Sequence, residues 1–290
     1  MPWRELLVLG CAQNCAHQLP AVIANVTRLQ GLFAASEVLV LENDSTDTTA
    51  DLLRGWTRQS PGVQAFSLPG LNQRLPHKTE RLAHLRNAGL AWWRQLQRFH
   101  PQALLLVLDL DEVNAEPWDL GVFSQVLRWF AARPQAAGVF ANQRYLYYDL
   151  WALRHPSLCP DDLWERQLEM HLQQPQLSDA ELLEAVLQHP QLRFLPDAPP
   201  IAVDSAFGGL GFYSGAWLQR LPEVAYAGSR CRWIHKDQGP RLIRWQCAEH
   251  VAFHSQLRCA GAELWIHPAL LNGGVPELRL NPGAWRYMQG

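Results

Sequence analysis

The chain predicts a mixed α/β fold built on a mostly parallel sheet, and three observations carry that prediction. Apolar runs of strand length alternate with amphipathic stretches of helix length through roughly the first 115 residues. The runs are unbroken rather than alternating, the pattern of strands buried on both faces. Strand–helix–strand order requires crossover connections, which set neighbouring strands parallel.

Glu5–Gly10 (ELLVLG) reads as the first strand, followed by a loop over Cys11–Asn14. Gln18–Leu32 places Leu19, Val22, Ile23, Val26 and Leu29 on one stripe and so predicts a helix. Val38–Leu41 is a second buried strand, ending in Glu42, Asn43 and Asp44. Ser45, Thr46 and Asp47 then supply a cap for a helix reaching about Trp56. Val63–Leu68 reads as a third strand, Arg74–His77 as a loop and Thr79–Phe99 as a long helix. Leu104–Leu108 is a fourth strand that runs straight into Asp109, Leu110, Asp111 and Glu112. Beyond it the pattern predicts a helix within Glu116–Arg133 and strands over Ala137–Ala141 and Tyr145–Tyr148. Residues 155–200, rich in Pro, Gln, Leu and His, read as an excursion with one or two helices. A glycine-rich segment, Ala202–Tyr213, precedes a helix over Glu249–Gly261 and a last strand, Glu263–Pro268. No internal repeat is visible.

With 290 residues and 48% hydrophobic content, the chain can bury a large core, which excludes global disorder. A net charge of −2 argues against a general polyanion binder, so no nucleic-acid partner is expected. The apolar run near the N-terminus is too short for a signal peptide or a membrane span, and no transmembrane segment is expected. Six cysteines without a CxxC pair fit free thiols in a reducing compartment. The expected location is cytoplasmic, either free or peripheral at the inner membrane face.

Asp109 and Asp111 carry the first functional signal. They leave a buried strand at its carboxyl end, where open α/β sheets bind ligands. Two residues apart on an extended segment, they point the same way. Two hard oxygen ligands on one face suit Mg2+ or Mn2+ shared with phosphate oxygens. The alternative is a solvated acidic turn.

Four segments in order then resemble the nucleotide-sugar glycosyltransferases of GT-A fold. LVLGCAQNCAHQLPAVIANV is a strand, a loop with Asn14 and a helix; VLVLENDSTDTTADLL is close to the D-D-G-S-T-D-G-T turn common there. KTERLAHLRNAGLAWW is close to the A-R-N-x-G helix, and LLVLDLDE matches the DxD motif. Downstream, AEHVAFHSQLRCAGAELWIHPAL resembles the E-D helix and following strand. The match covers roughly 1–115 and 200–272, with the excursion at 155–200 outside it. ENDSTD, FGG and EH bring it nearest to capsule- and cell-wall-type sugar transferases.

The resemblance implies a Rossmann-like GT-A sheet with flanking helices and a helical insertion at about 155–200. Residues 1–115 form the expected nucleotide-sugar-binding half, and 116–290 the acceptor and catalytic half. The implied activity is metal-dependent transfer of a sugar from a nucleoside diphosphate sugar to an acceptor hydroxyl, expected with inversion. The acceptor is a saccharide, a lipid-linked glycan or a protein. Mn2+ or Mg2+ is the implied cofactor, held first by Asp111, with Asp109 on the metal, its water or the ribose. Asn14, Glu42, Asp44 and Asn87 are implied nucleotide contacts; Glu42 stands where relatives use an acid for the base ring. Lys78, Arg81 and Arg86 offer a cation for the diphosphate, with Arg81 the expected one. Asp47 is expected only to cap its helix.

At the E-D position this chain has Glu249–His250. Either residue is a candidate base for the acceptor hydroxyl, and His250 is also a candidate third metal ligand. His254, one helical turn on, and His267 are the other candidates for that ligand. Asp204, Gly208 and Gly209 are expected to line the sugar and acceptor pocket, with the glycines allowing close backbone approach. Trp233, His235 and Lys236 read as a polar loop over the donor. A haloacid-dehalogenase-like phosphatase is the rival reading, because Asp109, Asp111 and Val113 fit D-x-D-x-[TV]. A non-catalytic sugar-binding protein on the same fold is the second rival, and a nucleotidyltransferase the third.

Overall fold

The computed structural model describes residues 2–178, 181–182, 192–236 and 239–273. The elements run β1 (Glu5–Ala12), α1 (Leu19–Gln30), β2 (Ala35–Glu42), α2 (Thr49–Gln59), β3 (Val63–Ser67), α3 (Leu71–Arg74), α4 (Lys78–Gln95) and β4 (Ala103–Asp109). A single 3-10 turn, Glu112–Asn114, leads to α5 (Leu120–Ala131), β5 (Ala136–Gln143) and α6 (Leu163–Gln173). Then come β6 (Ile201–Val203), β7 (Leu210–Ser214), α7 (Gly215–Arg220), β8 (Ser229–Lys236), β9 (Gly239–Gln246), α8 (Glu249–Cys259) and β10 (Glu263–Asn272).

Among the described residues, eight strands form one sheet in the order β3-β2-β1-β4-β7-β5-β10-β6. β1, β2, β3 and β4 pair parallel, as do β5 and β10. β7 runs antiparallel between β4 and β5, and β6 closes the far edge antiparallel to β10. Reversal at β7 places the glycine-rich segment that precedes it beside the end of β4.

Alternation along the strands divides the core into two layers. Leu6 and Val8, Val38 and Val40, and Leu104, Leu106 and Leu108 face α1, α2 and α5. Leu7 and Leu9, Leu39 and Leu41, and Leu105 and Val107 face α4 and α8. Both sets are nearly fully buried, which is why the strands read as unbroken apolar runs rather than alternating ones. The same alternation puts Asp109 on the α4 side and Leu110 on the opposite side. There Leu110 fills the space above Gly10, within 2.8 Å of where a Cβ would stand.

Two expectations change. Tyr145–Tyr148 is not a strand. The Tyr147 amide donates to the Leu192 carbonyl and Leu150 donates back to Tyr148, so the aromatic run bends into a loop that buries Tyr147. RWIHKDQG is not a loop over most of its length. β8 and β9 form an antiparallel hairpin in register from Ser229↔Gln246 to Lys236↔Gly239, and its turn residues lie outside the described set. Arg232 ties the hairpin to Glu165 and Glu169 of α6. Of the excursion at 155–200, α6 is one of the expected helices, while 179–180 and 183–191 lie outside the described residues.

The hairpin begins at Gly228, whose carbonyl accepts from Thr79 Oγ1 at 2.6 Å. A Cβ at Gly228 would lie 2.2 Å from the Thr79 carbonyl carbon and oxygen and 2.4 Å from the Glu80 nitrogen. These are backbone atoms of the first turn of α4 and have no rotamer to yield. Gly228→Ala is therefore expected to lower stability by about 1–3 kcal/mol through overpacking, read as a fall in the urea midpoint with an unchanged m-value.

Candidate active site

The loops after β1 and β2, the glycine turn before β7 and the helices α4 and α8 meet where β4 ends. The β1–α1 and β2–α2 loops are stitched together: Asn14, at φ 50°, accepts the Thr46 amide at 2.7 Å, and its own amide donates to Ser45 Oγ at 3.1 Å. Asp47, one residue before the N-cap Thr48, accepts the Thr49 amide at 2.9 Å and the Ala16 amide at 3.1 Å, tying the start of α2 to the β1–α1 loop. Asp44, at φ 48°, accepts the amides of Gly70 and, at 2.7 Å, Asn72. These bonds, the Asn72 amide first, hold its carboxyl below the usual range. Glu42 is buried and accepts from the Ser45 amide at 2.8 Å and from the Ser67 hydroxyl. Arg81 donates to the Leu75 and Pro76 carbonyls, and Asn87 exchanges two hydrogen bonds with the Tyr226 backbone. The expected nucleotide contacts Asn14, Glu42, Asp44, Arg81 and Asn87 thus all carry bonds that shape loops.

The central cation is Arg86, 1% exposed. One arm of its guanidinium pairs with Glu249 of α8 and the other reaches Asp109 at 3.0 Å. Its plane lies 5.0 Å from the Phe207 ring and 5.8 Å from Tyr226. A cation in this position links α4, α8 and β4. Sequence reasoning grouped Arg86 with Lys78 and Arg81 and expected Arg81 to serve; the one local feature that sets Arg86 apart is its place in the A-R-N-x-G stretch. Only the packing of α4 on β1 and α8 turns Arg86 inward.

Asp109 and Asp111 stand together at the edge. Burial raises the Asp109 carboxyl, opposed by Arg86. Asp111 keeps an open surface but is ringed by protein, and this crowding lifts it to about 7, with the Asp109 charge adding. The Lys78 charge opposes both shifts. Two crowded carboxylates that resist ionising side by side suit a hard divalent cation, which relieves their repulsion. Among the described residues no three His, Cys, Asp or Glu side chains gather around a metal position. A cation here would therefore take further ligands from phosphate oxygens and water.

The histidines are buried. His250 is 2% exposed and stacked on Phe207 at 3.8 Å, with Nε2 3.6 Å from Glu249 Oε1, and among the described residues it belongs to no group of three ligating side chains. His254 spends both ring nitrogens, on Ser205 Oγ and Tyr213 OH, each at 2.8 Å. Burial drives His254 down to about 3 and His250 well below its ordinary value, so both are neutral. His267 packs edge-on against Trp129 and accepts the Ala269 amide. Asp204 is exposed and pairs with Arg258 at 3.1 Å.

Gly208 and Gly209 do meet it. Their φ angles are +65° and +79°, and the Gly209 carbonyl accepts the Asp109 amide at 2.9 Å. Buried amides clamp this turn. Asn114 donates to the Gly209 and Asp109 carbonyls, and Gln143 and Asn272 donate to Gly208. Asp149 accepts the Gly208 amide at 2.9 Å. Neither Asn114 nor Asp149 stood out in the sequence, because neither lies in a spaced motif.

No protein-family model matches the chain, and no curated protein matches it. Similar solved structures include a mannosyltransferase from Pyrobaculum calidifontis in complex with GDP-Man and Mn2+. It is 16% identical, covers 99% of this chain and 60% of its own, and has a TM-score of 0.48. Glucosyl-3-phosphoglycerate synthase from Mycobacterium tuberculosis, in complex with Mn2+, UDP and glucosyl-3-phosphoglycerate, is 16% identical over 74% of this chain and 58% of its own, at a TM-score of 0.35. TarS from S. aureus is 10% identical over 94% of this chain and 61% of its own, at 0.47. The chain spans about three fifths of the length of each.

Replacing Arg86 by Met leaves Glu249 buried without its cation, and a loss of about 3–5 kcal/mol is expected. Adding Glu249→Gln to that variant is expected to restore part of the loss in chemical denaturation. Acidification tests the histidines. An unfolded histidine takes up a proton near 6.5, but folded His254 does not until about 3, so stability falls as pH drops between those values. At about 1.4 kcal/mol per pH unit, His254→Gln should lose about 2 kcal/mol less than the wild type between pH 7 and pH 5.

Proposed function

We propose that the chain transfers a sugar from a nucleoside diphosphate sugar to an acceptor hydroxyl, with Mn2+ or Mg2+ as cofactor. The observation that carries this reading is the crowded carboxylate pair Asp109–Asp111. It sits at the carboxyl edge of the central strand, between the loops after β1 and β2 and a clamped glycine turn. Open α/β sheets hold nucleotides at this edge.

Asp109 and Asp111 hold the cation in this reading, and a bound cation supplies charge stabilisation to the departing diphosphate. Arg86 fixes the Asp109 carboxylate, and Lys78 adds positive charge where phosphate oxygens arrive. The loops tied by Asn14, Glu42 and Asp44 present the nucleotide pocket. Residues 1–115 form the donor half, and 116–290 supply the acceptor side, a saccharide, a lipid-linked glycan or a protein. Glu249, paired with buried Arg86, serves as its counter-ion rather than as a base. No described helix is long and apolar enough to cross a membrane. The phosphatase alternative needs a later acidic pair at a strand end; Asp161–Asp162 follows no strand, and Asp162 is paired with Arg154.

A thermal-shift screen of UDP and GDP, each with and without Mn2+, tests the site. At a hundredfold excess over Kd the wild type should gain about 2.7 kcal/mol with the matching nucleotide. Asp111→Asn should abolish the Mn2+-dependent gain, while the metal-free protein stays as stable, because the substitution removes a repelled charge. Full Mn2+-dependent binding by that variant would overturn the assignment.

A further inference from the structure

We infer that Asp149 is the catalytic base of this site, the carboxylate that takes the proton from the acceptor hydroxyl; the inference rests on the transferase reading above. The carboxylates and the histidine expected there from the sequence are buried or paired with cations. Glu249 is buried against Arg86, His250 lies flat under Phe207, and Asp204 is held by Arg258. Asp149 is partly buried, and among the described residues no cationic side chain pairs with it.

Its position is fixed by the backbone. Oδ2 accepts the Gly208 amide at 2.9 Å, and Oδ1 accepts the Ala152 amide at 3.3 Å. The next residue of the turn, Gly209, accepts the Asp109 amide at 2.9 Å. Two consecutive residues therefore hold the metal-side acid and Asp149 on the same short turn. That turn is itself held by Asn114, Gln143 and Asn272. Both glycines are required by close packing: a Cβ on Gly208 would lie 2.4 Å from Gln143 Nε2, and one on Gly209 2.5 Å from Val113 Cγ1 and 3.1 Å from the Tyr148 hydroxyl. Asp149 lies close enough to the edge that the charges of Asp109 and Arg86 both act on it.

Each Asp149 oxygen takes one N–H, so each keeps a lone pair for an incoming hydroxyl. Burial first, and the Asp109 charge after the opposing Gly208 bond, raise this carboxyl to about 6. A base of that strength is ionised at neutral pH yet still accepts a proton readily. In the step itself the acceptor O–H bond breaks and its proton passes to Asp149. The acceptor oxygen bonds to the anomeric carbon as the bond from that carbon to the diphosphate oxygen breaks. The electron pair leaves on the nucleoside diphosphate, so a single displacement inverts the anomeric centre.

Asp149→Asn keeps the size of the side chain and an oxygen for the Gly208 amide but removes the base, and Asp149→Ser is the smaller control. The probes are UDP-glucose and GDP-mannose with Mn2+, with water or methyl glycosides as acceptor, and release of UDP or GDP is followed. Calorimetry with the same diphosphate and Mn2+ reads binding separately. The expected result is a fall in kcat of about a hundredfold or more for both variants, with KM for the donor and affinity for Mn2+ and nucleotide unchanged within about twofold. Turnover within about threefold of wild type, or loss of Mn2+ affinity alongside turnover, would overturn the role of Asp149. A wild type that binds Mn2+ and nucleotide but releases no diphosphate with any acceptor also overturns it. A wild type that binds neither overturns the transferase reading itself.

Discussion

Arg86 keeps its charge inside the protein, and the acidic edge is arranged around it. A guanidinium at 1% exposure needs carboxylates within reach, and Glu249 and Asp109 supply them from two different elements. Glu249 is nearly as buried as the arginine and has no role in solvent. Asp109 is more open, its side chain 27% exposed, and faces the edge of the sheet. The two ends of the pair are therefore unequal: α8 supplies a fixed anchor, and β4 a carboxylate that is oriented by the arginine while remaining available outward. Phe207 and Tyr226 close the space over the guanidinium, and His250 closes the space over Phe207. The buried histidine and aromatic side chains thus serve to keep water from the ion pair, which strengthens it.

The same edge depends on backbone held by amides. Gly208 and Gly209 need left-handed conformations that other residues adopt at a cost, and their carbonyls need donors because they are buried. Asn114, Gln143 and Asn272 supply those donors, and Asn25 in turn holds the Asn114 and Glu116 carbonyls. A chain of side-chain amides therefore runs from α1 to β10 beneath the acidic pair. Its members are uncharged, so they fix geometry without adding to the Asp109 charge that, after burial, raises Asp111.

Parts of this were legible in the sequence and parts were not, for physical reasons. β1, β2 and β4 are buried on both faces, which writes an unbroken apolar run into the chain, and acids at the end of such a run announce the sheet edge. The hairpin of β8 and β9 is half solvated and carries arginines whose partners lie on α6 and α4, so it reads as a polar loop. Tyr145–Tyr148 has strand-forming side chains, yet its backbone bonds belong to a loop pinned by Leu192. Arg86 lies in the A-R-N-x-G stretch, but its burial is not legible there, because burial of a helical cation is decided by what the helix packs against. Asn14, Glu42 and Asp44 sit where the resemblance puts them, but that their polar atoms are spent on neighbouring loops is a property of the loops' mutual packing.

Asp149 shows the limit of motif reasoning most clearly. It follows two tyrosines in a stretch with strand-like composition, and nothing in its spacing marks it. It reaches the edge because the chain turns at Tyr148–Leu150 and because β7 runs antiparallel beside β4, bringing Gly208 alongside. Both conditions are long-range, and a local reading of residues 145–149 contains neither. By contrast, Asp109 and Asp111 are delivered by the strand that carries them, so their place follows from a few neighbouring residues. Chemistry assembled from one strand end is readable in sequence. Chemistry that needs a reversed strand to bring a distant loop into place becomes visible only once the sheet is built.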